Sequence, residues 1–161
     1  MMKKNILVFL LLLSYFSVFS QSTNSKWSDL FSYNNVLAFK EKDGKIIAAT
    51  ENGVFYYNTI SGEITKLSKA NGLHEVKISA FDYDAATNTA IIGYKSGNLD
   101  VVTADGVTYV VDIPLSQSYT GSKTINNISI NGDKAVISVG YGVSIFNITK
   151  KEFGDTCFFF N

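Results

Sequence analysis

Gly53, Gly97 and Gly142 lie 44 and 45 residues apart, and each divides a pair of short apolar runs. The runs are Ile46 to Thr50 and Val54 to Asn58, Ala90 to Tyr94 and Leu99 to Thr103, then Ala135 to Val139 and Val143 to Asn147. Ahead of each first run stands a pair suited to a tight hairpin turn: Asp43-Gly44, Thr87-Asn88 or Gly132-Asp133. Nine residues after the three glycines come Gly62, Gly106 and Lys151. A unit of ~40–45 residues that holds four strands has the size of one β-propeller blade. Leucine-rich and helical repeats fit worse, because the runs are short, β-branched and aromatic rather than helical in period.

Residues 1–20 read as a secretory signal peptide. Lys3 and Lys4 precede an apolar stretch from Ile6 to Phe19, and cleavage after Ser20 would leave Gln21 as the first mature residue. Ser14, Ser17 and Ser20 interrupt the stretch, whereas a membrane-spanning helix needs ~20 apolar residues in succession. Export from the cytoplasm is therefore expected. The mature segment 21–161 carries 12 lysines against 14 acidic residues, a balance that disfavours nucleic acid as a partner. Every cation is lysine, so the planar guanidinium fork that clamps phosphate or carboxylate is missing from the chain. Cys157 is the lone cysteine, which excludes an internal disulfide framework and a cysteine-based metal site. It reads as a small apolar strand residue.

The pattern predicts an all-β partial propeller of three four-stranded antiparallel blades, near residues 36–67, 78–113 and 125–161. Closed propellers typically have four to eight blades. An open end leaves apolar side chains wet at ~1.5 kcal/mol each, which across one blade face rivals the ~5–15 kcal/mol stability of a whole domain. The segment 21–161 is therefore expected to be an incomplete propeller, a fragment of a larger one whose remaining blades would be its first partners. Strands are expected at Val36 to Lys40, Lys45 to Thr50, Val54 to Asn58 and Ile64 to Leu67. The second set is Ile78 to Tyr83, Thr89 to Tyr94, Leu99 to Thr103 and Val107 to Ile113. The third is Ile125 to Ile130, Lys134 to Val139, Val143 to Asn147 and a strand beginning near Glu152. Gly53, Gly97, Gly142, Gly62 and Gly106 are the repeat turn glycines. Pro114, the only proline, should fall just past a strand end, where a missing donor matters little.

Chemistry-bearing patterns are sparse. Asp82 and Asp84 form a D-x-D pair that could bind calcium or share acid and base roles, but it leads into a turn and reads as solvated. His74, the only histidine, reads as a polar residue of an interblade connection; no second histidine is present to complete a zinc site or a hydrolytic constellation. No catalytic residue, cofactor or metal is expected. Trp27, Phe31, Tyr33 and Phe39 make an aromatic cluster that suits blade packing better than sugar stacking. Tyr56, Tyr57, Tyr83, Tyr94, Tyr109, Tyr119 and Tyr141 should fill spaces between sheets with their hydroxyls at a polar rim. The patterns Asn127-Ile128-Ser129 and Asn147-Ile148-Thr149 match a glycosylation acceptor only by its short consensus.

Gly44-Lys45-Ile46-Ile47-Ala48-Ala49-Thr50-Glu51-Asn52-Gly53-Val54-Phe55-Tyr56-Tyr57-Asn58, with Ser61-Gly62 and Asn71-Gly72-Leu73, resembles the two-component-regulator propeller repeat. That repeat usually has Trp where Ile47 stands and Gly where Ala49 stands; the second copy keeps Gly93 but has Ile91 at the Trp position. Trp27 to Val36, Ile92-Gly93-Tyr94-Lys95-Ser96-Gly97-Asn98-Leu99-Asp100, and Gly121 to Asn126 running on to Glu152 to Thr156 resemble the PorZ N-terminal β-propeller family. That resemblance implies a non-catalytic component of the type IX secretion system of Bacteroidota, acting with PorU, PorV and PorQ at the cell surface and on anionic lipopolysaccharide. It transfers no ligand-binding residue, because the matching positions are blade-forming glycines and apolar residues. Two other classes stand beside it. One is a periplasmic glycan-sensing propeller of a hybrid two-component regulator; the other is a fragment of a propeller lyase or glycosidase, against which the absence of arginine weighs for sialidase chemistry.

Overall fold

The computed structural model describes residues 32–118 and 121–159. The signal segment with Ser20 and Gln21, and also Trp27, Phe31 and Tyr119, lie outside them. Among the described residues twelve strands form three four-stranded antiparallel sheets. The first comprises β1 (Val36–Lys42), β2 (Lys45–Thr50), β3 (Gly53–Asn58) and β4 (Ile64–Ser68). The second comprises β5 (Ile78–Asp84), β6 (Thr89–Tyr94), β7 (Leu99–Thr103) and β8 (Gly106–Val110). The third comprises β9 (Ile125–Asn131), β10 (Lys134–Val139), β11 (Gly142–Asn147) and β12 (Glu152–Phe158). Within each sheet the strands neighbour one another in chain order, the up-and-down meander of a propeller blade. β5 touches both β1 and β9, so the first strands of the three sheets lie together on the side where the blades converge.

Each sheet carries the same irregularity. Val36 pairs with Thr50 but Ala38 with Ala49; Ile78 pairs with Tyr94 but Ala80 with Gly93; Ile125 pairs with Val139 but Asn127 with Ser138. Leu37, Ser79 and Asn126 are thus the extra residues of bulges placed alike at the start of the innermost strand, where a bulge sharpens the local twist. Ser79 uses the irregularity to reach across blades, its hydroxyl donating to the Ile125 carbonyl at 2.6 Å.

Two cores hold the sheets together. Ile47, Ala49 and Val54 of the first sheet meet Phe81, Ala90, Ile92 and Tyr94 of the second. On its other face the second sheet packs Ile91, Leu99 and Val101 against Ile125, Ala135, Ile137 and Phe146 of the third. Strand alternation sends neighbouring residues to opposite faces, and in β6 both faces are covered, so all six of its residues are buried. The outward face of the first sheet, by contrast, leaves Phe39 64 % exposed and Ile64 59 % exposed.

The turn glycines share a spacing but not a role. Gly53 and Gly142 are the first residues of β3 and β11, whereas Gly97 lies inside the turn between β6 and β7 at φ +94°. A Cβ on Gly142 would stand 2.1 Å from the Cys157 carbonyl oxygen, so close approach of the last strand requires glycine there. Gly62 and Gly106 have positive φ and open space around them; Lys151, their counterpart in the third sheet, adopts φ 61° with a side chain.

Two expectations change. The strand expected to run to Ile113 ends at Val110, and Asp112–Leu115 form a single helical turn, α1, with Pro114 inside it. Pro114 is tolerated because first-turn backbone N–H groups have no intrahelical partner to lose. The turn drives Ile113 into the core between the second and third sheets, and Lys123 Nζ donates to the Pro114 and Ser116 carbonyls at its end. Asp82 is not a solvated turn residue either. It is buried, accepts the Ile130 N–H of β9 at 2.7 Å and pairs with Lys40 Nζ of β1 at 3.0 Å, tying three blades together through one carboxylate. Asp84 does behave as a turn residue, accepting from the backbone N–H of Ala86 and of Thr87 and from the Thr87 hydroxyl.

Candidate functional site

The second sheet gathers the densest polar cluster among the described residues. Asp100 on β7 is fully buried; its carboxylate accepts from the His74 backbone N–H at 2.9 Å and from the Tyr94 hydroxyl at 2.5 Å, and it lies 2.7 Å from His74 Nδ1. The His74 ring stacks on Tyr109 of β8, with centroids 4.5 Å apart and planes 11° from parallel. Beside it the Glu75 carboxylate accepts from Ser96 Oγ at 2.7 Å, from the Tyr109 hydroxyl and from Asn98 Nδ2. Burial pulls the Glu75 carboxyl upward, but the hydrogen bonds from Tyr109, Asn98 and Ser96 together outweigh it and hold it below the usual carboxylate value. Burial, followed by the hydrogen bond to Glu75 and the charges of Glu75 and Asp100, pushes the Tyr109 phenol up to about 12. The same causes, burial first and Asp100 next, drive the Tyr94 phenol far up.

His74 is thus not the free loop residue that its flanks suggest. Its Nδ1 is committed to Asp100 and its ring face to Tyr109, so the connection between the first two blades is pinned to the second sheet. Tyr94 also departs from expectation, sending its hydroxyl into the core rather than to a rim. An aspartate–histidine pair can orient a base, but that needs a hydroxyl or thiol on the imidazole. Among the described residues no serine, threonine or cysteine hydrogen-bonds His74. The described residues also contain no group of three or more His, Cys, Asp or Glu side chains able to hold a metal ion. Asp100 and Glu75 were invisible to motif reading, though a carboxylate inside the run Leu99-Asp100-Val101-Val102 is itself a signal of a paired buried charge.

A cleft of about 440 Å³ opens between the first and second sheets. Two register rows face one another across it: Ile47, Tyr56 and Thr65 from β2, β3 and β4, and Tyr83, Ala90 and Val102 from β5, β6 and β7. The Tyr83 hydroxyl donates to Asn88 Oδ1 at 2.8 Å. Burial foremost, and then the neighbouring Tyr83, raises the Tyr56 phenol above its ordinary value. Lys45 and Glu63 add one charge of each sign to the lining. A second surface, more open and apolar, is formed by Leu37, Phe39, Ile46, Phe55 and Tyr57 on the outward face of the first sheet. Tyr33 packs edge-on against Phe55 at one side of it, and Lys66 Nζ lies 4.5 Å from the Tyr33 ring centroid.

Among protein families, the one described as TSS9, PorZ, N-terminal beta-propeller domain matches residues 46–160. No curated protein matches the chain. Among solved structures, PorZ of Porphyromonas gingivalis, described as an essential bacterial surface component of the type-IX secretion system, superposes with a TM-score of 0.65 at 24 % identity. The match covers 76 % of this chain and 17 % of that one. The extracellular domain of the putative hybrid two component system BT4673 from B. thetaiotaomicron gives a TM-score of 0.62 at 16 % identity, covering 79 % of this chain and 17 % of that one. The WD40 repeats of RRP9 give 0.63 at 14 % identity, covering 80 % and 40 %. Structures this distant in sequence establish the propeller architecture, and the chain spans less than a fifth of the length of the first two.

Proposed function

Because the chain belongs to the family of the PorZ N-terminal β-propeller domain, we propose that it serves as a non-catalytic binding module of a type IX secretion attachment complex. The family match over 46–160 carries this reading. The module is exported and acts at the periplasmic side or outer surface of a Gram-negative cell envelope. Its partners are proteins of the PorU, PorV and PorQ kind and, through its lysines, anionic lipopolysaccharide. Two observations are in keeping with binding rather than chemistry. The histidine and the buried carboxylates are occupied with one another or with backbone groups, and the outward face of the first sheet offers exposed Phe39 and Leu37. That face is also where a further blade of a larger propeller would pack. Among the described residues no helix is long and apolar enough to cross a membrane.

The test is recovery of secretion-complex proteins with the tagged chain from its own cells, alongside binding of purified anionic lipopolysaccharide to immobilised chain. Phe39→Asp should reduce protein recovery several-fold and leave the fold intact, since that side chain is mostly exposed. Failure to recover any such protein, with lipopolysaccharide also unbound, refutes the reading. A second reading, an extracellular sensor propeller of a hybrid two-component system, is favoured by the likeness to the BT4673 extracellular domain. Recovery of a histidine kinase in place of secretion proteins would select it.

A further inference from the structure

We propose that the cleft between the first and second sheets is a saccharide site that takes a neutral hexose or a short neutral oligosaccharide. The inference goes beyond the secretion reading and does not rest on it. Lipopolysaccharide would be held by charge over a broad surface, whereas this cleft is charge-balanced and local.

Size comes first. At about 440 Å³ the cleft lies within the ~300–1,000 Å³ usual for small-molecule sites. Composition comes second. Sugars present flat C–H faces edged with hydroxyls, and their sites pair an aromatic ring with side chains able both to donate and to accept. Tyr56 and Tyr83 line the cleft from opposite sheets, so a pyranose held there has an aromatic side chain within reach from each sheet. Polar groups come third. Among the described residues the Tyr56 hydroxyl, Lys45 Nζ and the Glu63 carboxylate have no hydrogen-bond or ion-pair partner, although all three line the cleft. Partner-free polar groups around an aromatic cleft contrast with the His74, Asp100 and Glu75 cluster, where every carboxylate is engaged. With one lysine and one glutamate in the lining, a polyanion gains nothing net from charge.

The site is also complete within two adjacent blades. Its rows come from β2 to β7, all described, and no further blade is needed to build it. The outward apolar face differs in this respect, since nothing in the structure indicates what covers it.

The experiment is saturation-transfer NMR and calorimetry on the full chain with glucose, galactose, mannose, N-acetylglucosamine and their short oligomers, with glucuronate and galacturonate as anionic counterparts. At least one neutral sugar should bind, with its uronic acid no tighter than about threefold. Tyr56→Phe, which removes only the hydroxyl, should weaken that binding about 5–10-fold, the effect of losing one uncharged hydrogen bond. Glu63→Gln tests an exposed rim group that the fold does not need and should weaken it by a similar or smaller factor. Long glucan and mannan form a further arm: binding of the polymer as well as the oligomer points to a surface glycan, and binding of the oligomer alone to a free sugar. Absence of saturation transfer from every neutral sugar, or affinities unchanged in both Tyr56→Phe and Glu63→Gln, would overturn the proposal.

Discussion

Asp82 should be sensitive to substitution, and the two partners of its carboxylate are unequal. Its side chain is 8 % exposed while that of Lys40 is 55 % exposed. A half-exposed lysine regains water when its partner leaves, so the ion pair is worth at most ~1 kcal/mol. The Ile130 N–H belongs to the blade behind and loses its acceptor altogether in Asp82→Ala, at about 1–3 kcal/mol. The alanine variant should therefore lose roughly 2–3 kcal/mol. Asp82→Asn keeps an oxygen for Ile130 and gives up only the charge, about 1 kcal/mol, and Lys40→Ala should fall below that. For a chain of this size each kcal/mol is about 2–4 °C of Tm, so the three variants separate in thermal melts followed by near-ultraviolet circular dichroism. The order alanine, asparagine, then lysine variant is the claim. Were Lys40→Ala to destabilise as much as Asp82→Ala, the attribution to the interblade hydrogen bond would be wrong.

Two further outcomes follow from the geometry. A Cβ on Gly93 would lie 2.5 Å from Ile125 Cγ2 and 2.8 Å from its Cβ, so Gly93→Ala should destabilise by about 1–3 kcal/mol through overpacking; a denaturant midpoint equal to that of the parent would contradict it. Glu75 is held below the ordinary carboxylate value, so its contribution is complete above the unfolded value and is lost as pH falls through the lower folded one. Stability curves of Glu75→Gln should accordingly lie close to those of the parent at the lowest pH, diverge as pH rises from the lowered folded value to the ordinary carboxylate value, and keep a constant gap above it; a gap of the same size at all pH values would remove Glu75 from the account.

The repeat made the architecture legible because blade periodicity is written in local patterns: hairpin pairs such as Asp43-Gly44, with φ 53° and 73°, and apolar runs at the period of a strand. What escaped reading depends on contacts between blades. Asp82 looks like half of a turn motif until β1 and β9 are brought beside it, and His74 meets Asp100 only because the connection doubles back on its own sheet. The helical turn at Asp112–Leu115 was hidden by Val110, Val111 and Ile113, whose branched side chains read as strand while tertiary burial of Ile113 decided otherwise. Tyr56 and Tyr83 read as interblade filler, and the room left between them does not show in the sequence, because a void has no sequence signal. The three bulges left no motif either: Leu37, Ser79 and Asn126 have nothing chemical in common.

The double burial of β6 bears on how this chain can vary over time. A strand with one wet face ordinarily accepts polar exchange at every second position, and lineages diverge there first. From Thr89 to Tyr94 no such refuge exists, since any change disturbs one neighbouring sheet or the other. Divergence should concentrate instead in β4, β8 and β12, the outermost strands, where most side chains face solvent.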